Sequence, residues 1–484
     1  MIRIWRASRG ADMTKRTLLI LCVLVCVNGC TMIPKYQRPD APIPPGWPSG
    51  PAYKESPSAP SEPLASDLHW REFFTDERLQ TIIDTALKNN RDLRVAALNV
   101  EKTRALYQIQ RAELYPTVDA VGSGFRQRIP KDLSGTDPPR AVTTDQYSVN
   151  LGVSSWEIDF FGRIRSLSKR ALQEFLATEQ ARRSAQILLV SEVARVYLTL
   201  AADREDLQLA RSTLEAQQTS YNLIRRRFEV GLAPELDLRQ VQTRVDTSRR
   251  DVARFTDQVA QDINGLNLLV GSTVPDELLP EALSTVAPLP DVSSGISSEV
   301  LLSRPDILQA ENLLKASNAN IGAARAAFFP RISLTTAIGT ASGDLSGLFK
   351  SGSFVWNYAP QIVMPIFDAR LWGALKASKV EREIAVAQYE RAIQTAFREV
   401  ADALARRGTL GDEMDAQESL VDASMQAYRL SLARYEKGTD IYLSVLDAQR
   451  SLYAAQQVLI LVRQEKLINQ VQLYAVLGGG ADAQ

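Results

Sequence analysis

Apolar residues return at every seventh position through the proline-free stretch that follows Arg163: Val193, Leu200, Leu207, Leu214, Tyr221 and Phe228. The spacing recurs later at Val400, Met414, Val421, Tyr428 and Tyr435, with Arg407 breaking the series. A sustained 3.5-residue period belongs to supercoiled helices that meet along a narrow seam. It predicts long helices over 163–230 and 369–437. At ~1.5 Å per residue each would run for roughly 100 Å. So narrow a stripe cannot bury a lone rod, and the pattern therefore requires neighbours lying side by side. Gly231 and Gly438 stand where each rod should stop, because glycine takes the left-handed conformation of a helix C-terminus without steric cost. Shorter helical patterns follow over 235–270 and 440–476, and two more come earlier, over 76–114 and 298–328.

Strict alternation is confined to the segments between these helices. Tyr147, Val149, Leu151 and Val153 alternate with Gln146, Ser148, Asn150 and Gly152. Phe354, Trp356, Tyr358, Ile362 and Met364 alternate with neighbours that include Asn357 and Gln361. Strands are predicted over 143–156 and 353–365, with partners over 117–128 and 331–341. Pro116 and Pro330 drive Tyr115 and Phe329 out of the helical region, so each marks a helix-to-strand junction. Period-two segments of about ten residues suit membrane-crossing strands, and equally a half-buried hairpin in water. Four strands cannot close a barrel, and hydrocarbon tolerates no open sheet edge, so the membrane reading requires several chains to share one barrel.

The chain is also written twice. At an offset of 207, Phe160 meets Phe367, Arg163 meets Arg370, Tyr221 meets Tyr428, Gly231 meets Gly438 and Gly271 meets Gly478. Upstream the offset is 214: Asp92 meets Asp306, Arg111 meets Arg325, and Tyr115-Pro116 meets Phe329-Pro330. Such a repeat predicts a pseudo-symmetric wall in place of a single compact core. The organisation expected is a signal peptide over 1–29, a tether over 30–70, a first repeat over 71–271, a linker over 272–297, a second repeat over 298–478 and a tail over 479–484.

Charge and composition narrow the function classes. Basic and acidic residues balance at 56 each, with no basic stripe for nucleic acid. Lys15-Arg16 precedes an apolar run from Thr17 to Val27, too short to span a bilayer, and the pattern is that of a secretory signal. It ends at Val27-Asn28-Gly29-Cys30, which looks like a lipobox with Cys30 as the acylated first residue; ordinary cleavage beside an incidental thiol is the alternative. Met13 is a second candidate start. Cys22 and Cys26 leave with the signal, so the mature chain has one cysteine and no intramolecular disulfide. The proline-rich stretch after Cys30 reads as an extended tether. His69 is the only histidine, and no metal cluster, Cys–His nucleophile or phosphate-cradling loop can be assembled. An enzyme is not expected.

At the ends of the rods farthest from the strands lie Arg434, Tyr435, Leu443, Asp447 and Arg450. Leu443 and Asp447 are one turn apart and share a helix face. Their repeat mates are Leu236 and Gln240, so only one hairpin carries the acid. Coiled-coil packing for Leu443 and a solvated charge for Asp447 are the plain alternative.

Five segments carry a family resemblance: Cys30-Thr31-Met32-Ile33-Pro34-Lys35-Tyr36-Gln37-Arg38-Pro39, Trp156-Glu157-Ile158-Asp159-Phe160-Phe161-Gly162-Arg163, Arg304-Pro305-Asp306-Ile307, Ala323-Ala324-Arg325-Ala326-Ala327-Phe328-Phe329-Pro330, and Leu446-Asp447-Ala448-Gln449-Arg450. Over essentially the whole mature sequence the chain resembles the TolC-like outer-membrane efflux channels, and more closely the OprM-type lipoprotein branch of RND multidrug efflux systems. The resemblance implies a mostly α fold with a small β part. Long helical hairpins would form an α-barrel, and four strands per chain would join a trimeric twelve-stranded transmembrane β-barrel. It implies a homotrimer that partners outer membrane lipid, a periplasmic membrane-fusion adaptor and an inner-membrane RND transporter. It implies no cofactor beyond diacylglycerol and an N-acyl chain on Cys30. Leu443 and Asp447 match the family's periplasmic aperture, and Arg434, Tyr435, Arg450 and Asp237 match its latch contacts. Drug or small-solute efflux is the expected role; protein secretion, metal efflux and a non-conducting lipid-anchored scaffold are the rivals.

Overall fold

The computed structural model describes residues 31–54, 68–293 and 297–480. The signal peptide and the acylation expected at Cys30 lie outside the described residues. The order of elements is α1 (Trp70–Phe73), α2 (Glu77–Asn89), α3 (Arg91–Ala112), β1 (Val118–Ile129), β2 (Val142–Ile158), α4 (Arg163–Glu229), α5 (Glu235–Val270), α6 (Pro305–Ala326), β3 (Arg331–Ser342), β4 (Phe354–Val363), α7 (Ala369–Glu436) and α8 (Tyr442–Val476). The chain is mostly helical with one small sheet, and it divides into two compact units.

Two expected helices are in fact broken. The pattern over 76–114 is two helices, because Asn90 ends one and starts the next: its amide N–H bonds Ala86 O at 2.8 Å, and its side-chain oxygen accepts from Leu93 N at 2.8 Å. The pattern over 298–328 begins as a six-residue 3₁₀ turn, Ser298–Ser303, and becomes α-helix only at Pro305. Proline bars the preceding residue from helical geometry, and Arg304 stands at ψ 137°.

The first unit comprises 31–39, 101–177 and 310–388. Its sheet is antiparallel throughout, in the order β1-β2-β3-β4, so the two repeats meet at β2–β3. Paired residues share a face. Val149 and Leu151 lie opposite Thr340 and Ile338, which lie opposite Phe354 and Trp356; this face is apolar and aromatic. The other face carries Gln146, Ser148, Asn150 and Asn357, with Ser123 and Ser148 bonded Oγ to Oγ at 2.8 Å. At the root of the sheet, Arg163 grips Glu157 through two bonds of 2.8 Å, Gly162 turns the chain at φ 75°, and Phe161 stacks on Phe329 at 4.8 Å.

The proline-rich segment lacks regular structure, as its composition requires, but residues 31–39 are tacked down along α6. Arg38 bonds both oxygens of Glu311 at 3.2 and 2.6 Å, and Asn318 Nδ2 donates to Pro34 O at 2.9 Å. Gly322 makes the approach possible, since a Cβ there would stand 2.5 Å from the Ile33 side chain. The first repeat has Ala97 and Gln108 at the matching positions, so the strap is specific to the second.

The second unit comprises 40–100, 178–309 and 389–484. Val193 and Leu200 on α4 and Val400 on α7 are fully buried, whereas Phe228, near the end of the α4 series, is 39% exposed. A straight 3.6-residue helix drifts against a seven-residue stripe, and α4 cannot bury the whole seam within one chain. Phe73 stacks on Tyr474 at 4.0 Å, and Tyr474 Oη donates to Leu68 O at 2.7 Å. The two repeats are tied at equivalent places. Asn90 Nδ2 donates to Leu269 O at 2.8 Å, and its counterpart Arg304 donates Nη1 to Val476 O at 2.7 Å. Arg304 adds what asparagine cannot, reaching Asp306 at 3.0 and 2.7 Å and Glu399 at 3.0 Å.

Candidate functional site

Both long helices end in the same way. Gly231 and Gly438 have φ 77° and 72°. Leu232 N bonds Arg227 O at 2.7 Å, and Thr439 N bonds Arg434 O at 3.0 Å, in each case closing the turn across six residues. This is the Schellman arrangement, which satisfies carbonyls that a helix end would otherwise leave bare. It places the first turns of α5 and α8 beside the last turns of α4 and α7. Ile224, Leu238, Val241, Tyr442, Val445 and Leu446 form a buried cluster there, flanked by Tyr221, Tyr428 and Tyr435.

The cluster consumes the inward face of α8 and leaves another outward. Leu443 is 41% exposed, and the Asp447 side chain one turn later is 53% exposed. Arg450 stands 3.6 Å from Asp447, so these three residues form one continuous stripe. The other expected contacts fall elsewhere. Arg434 pairs at 3.3 Å with Asp440, which also accepts from Ile441 N and Ser444 Oγ at 2.8 and 3.0 Å. Those hydrogen bonds, the backbone one first, hold the Asp440 carboxyl below its ordinary range. Tyr435 Oη accepts from Arg227 Nη1 at 2.8 Å, with the guanidinium 5.4 Å from its ring and Tyr442 at 4.8 Å on another side. Burial pushes the Tyr442 phenol up, assisted by the nearby Tyr428, Tyr435 and Asp237. Asp237 itself is half-buried in the first turn of α5. Leu443, Asp447 and Arg450 are thus brought together, while Arg434, Tyr435 and Asp237 each serve a different contact.

Charged side chains surround an apolar cluster here, and among the described residues no catalytic constellation accompanies it. Among the described residues no group of three or more His, Cys, Asp or Glu could hold a metal ion. A family model described as outer membrane efflux protein matches residues 82–272 and 296–479, one segment for each repeat. The chain belongs to the outer membrane efflux protein family. This efflux channel is similar to two Pseudomonas putida proteins, the antibiotic efflux pump outer membrane protein ArpC and the toluene efflux pump outer membrane protein TtgC. Each is 48% identical over 472 residues, spanning 97% of this chain and 96% of the relative. In structure it is similar to the open state of the Neisseria gonorrhoeae MtrE outer membrane channel, with TM-score 0.83, 37% identity and coverage of 93% of this chain and 99% of that one. The protein is therefore an outer-membrane transport channel and not an enzyme.

Three residues of the efflux channel's tip, Arg227, Asp440 and Tyr442, and one cluster farther along the hairpin carry no signal in the sequence that singles them out. In that cluster Asp203 on α4 faces Asp262 on α5, with Asp206 one turn from Asp203. Asp203 and Asp262 share a hydrogen bond, which two carboxylates make only when one is protonated, and burial raises both. Burial, with the charge of Asp203, pushes Asp206 up to about 7. At these carboxyls the folded chain holds more protons than the unfolded one between about pH 4 and about pH 7, so their contribution to stability falls as pH rises through that window. Asp206→Asn and Asp262→Asn should raise the unfolding midpoint in detergent at about pH 8 and change it little at about pH 5. Equal gains at both pH values would show that burial, and not protonation, sets the effect.

Proposed function

We propose that this channel is the exit duct of a tripartite efflux pump, built as a homotrimer. Three four-stranded sheets close one twelve-stranded barrel in the outer membrane, and the helical hairpins assemble into a barrel below it. The observation that carries the reading is the sheet. It is apolar and aromatic on one face and polar on the other, and among the described residues no strand meets the outer edge of β1 or of β4. Hydrocarbon leaves no unsatisfied backbone, so the edges must be met by other copies. Trp356 is 68% exposed on the apolar face, where lipid is its natural neighbour.

The mature chain begins at Cys30, acylated to add a second hold on the membrane. At the tips of the helical hairpins, the loop residues Val230, Leu232 and Ile441 are exposed and apolar, which suits docking by a periplasmic adaptor that joins the duct to an inner-membrane RND transporter. Three copies of Leu443 and Asp447 ring the axis as the periplasmic gate. Leucine closes by contact and dewetting, and the carboxylates set the field for ions. Arg434, Tyr435, Arg450 and Asp237 are the latch. Relatives equally similar to this chain bear the names of antibiotic and toluene pumps, which supports small organic solutes as cargo and leaves their selection to the inner-membrane partner.

In a host lacking its own outer-membrane duct, expression with the cognate adaptor and transporter should restore resistance to such solutes. Purified protein should run as a heat-modifiable trimer that conducts ions in planar bilayers. A stable, non-conducting monomer would sink the proposal.

A further inference from the structure

The internal repeat allows the junction between subunits to be derived from the junction inside one chain. Resting on the homotrimer reading, we infer that β4 pairs with β1 of the next copy in one specific register, with Ala359 opposite Phe125 of the partner subunit.

The first step is the equivalence of strands. Tyr115-Pro116 and Phe329-Pro330 fix β1 onto β3 at the offset of 214, so Val118 corresponds to Ile332. Val118 pairs with Val153, and Ile332 pairs with Ile362. Val153 therefore corresponds to Ile362, and the bodies of β2 and β4 are related by 209 and not by the 207 that holds from Phe160 and Phe367 onward. The two-residue discrepancy falls where β2 has its irregularity, between Val153 and Trp156, with Ser155 at φ 53°. A bulge there absorbs surplus residues without moving the strands outside it.

The second step carries β2–β3 onto β4 and the partner's β1. Within the chain Asn150 lies opposite Gly339, and Leu151 opposite Ile338. Their counterparts are Ala359 opposite Phe125 of the partner subunit and Pro360 opposite Gly124 of the partner subunit. The backbone agrees. Ala341 N donates to Ser353 O across β3–β4, so odd-numbered residues of β4 turn their amides to β3, and Phe354, Trp356, Tyr358, Pro360 and Ile362 turn theirs to the bare edge. Proline is admissible there, where it removes one rung of the new ladder and none of the existing one. Faces agree too, since the aromatic residues of β4 fall on the side that holds Gly122 and Gly124 in β1. One difference is expected. A Cβ on Gly152 or Gly339 would stand 2.4 or 2.1 Å from a backbone oxygen of the neighbouring strand, whereas their counterparts Gln361 and Phe125 have side chains. The intersubunit ladder has the same register as the intrachain one but a wider spacing.

Cysteine pairs test this. Ala359 and Phe125 of the partner subunit form a non-hydrogen-bonded pair, the closer kind and the better disulfide site. In Ala359→Cys/Phe125→Cys, mild oxidation of membranes should yield covalent trimers several-fold more readily than in Ala359→Cys/Ser123→Cys, the pairing given by the plain offset of 207, or in Ala359→Cys/Gln127→Cys. Each single-cysteine variant is the control for the background from Cys30. Faster bridging through Ser123 or Gln127 overturns the register, as does an intact trimer that bridges through none of the three. A parent protein without trimers at all would instead refute the oligomeric reading on which the register rests.

Discussion

Leu443→Ala combined with Asp447→Ala should raise single-channel conductance several-fold and admit antibiotics that the parent channel excludes. Both side chains point away from the buried cluster formed by Tyr442, Val445 and Leu446, so truncation should leave the tip folded, within about 0.5 kcal/mol of the parent. The effect on flow is large because in the proposed trimeric gate each substitution acts three times at one constriction. Arg450 separates the two contributions. At 3.6 Å it neutralises part of the Asp447 charge, so Arg450→Ala alone should sharpen selectivity for cations while leaving the leucine ring closed. Planar-bilayer currents and reversal potentials read both. Unchanged current and unchanged drug entry in the double variant would take these residues out of the gate.

Arg304→Met should cost about 1–3 kcal/mol of stability, the range for lost hydrogen bonds to charged groups, because the partners Asp306 and Glu399 are 41% and 34% exposed and stay partly solvated without it. The Arg304 side chain is only 11% exposed and serves Asp306, Glu399 and the carbonyl of Val476 together. Methionine has nearly the same volume, so the loss isolates the charge and its hydrogen bonds. The bonds join the start of α6 to α7 and to the last turn of α8, and denaturant unfolding in detergent should show the loss directly. Asn90→Ala at the equivalent place in the first repeat should cost less, since a neutral group and two hydrogen bonds are lost. Equal costs at the two sites would mean that the ionic part of the Arg304 network contributes nothing.

The contrast between those two positions also shows what the sequence could reveal. The long helices were legible because a seven-residue stripe from Val193 to Phe228 admits no other element, and the strands because Tyr147, Val149, Leu151 and Val153 alternate strictly. The break at Asn90 was hidden, since asparagine amid a helical pattern marks a cap only if the chain actually turns there. At the tip, Leu443 and Asp447 could be placed on one face by counting, but the partners of Tyr435 and Arg434 could not. Arg227 reaches Tyr435 from 208 positions away, and which helix lies beside which is a tertiary fact. The carboxyls of Asp203, Asp206 and Asp262 were equally opaque, because their protonation follows from burial. Nothing in the sequence marks Gly322 among its helical neighbours; only the strap lying on it shows why a side chain is excluded.

Pro360 has a consequence for the life of the chain before it reaches its partners. A naked aromatic strand border is the shape that seeds fibrils, since any extended polypeptide can add to its unmet donors. Proline in the middle of that border interrupts the row of donors, so a stray strand finds only short runs on either side. Travelling copies are thereby poor templates for endless stacking, and this one imino acid helps keep an exposed border fit for sisterly docking without becoming a nucleus for amyloid.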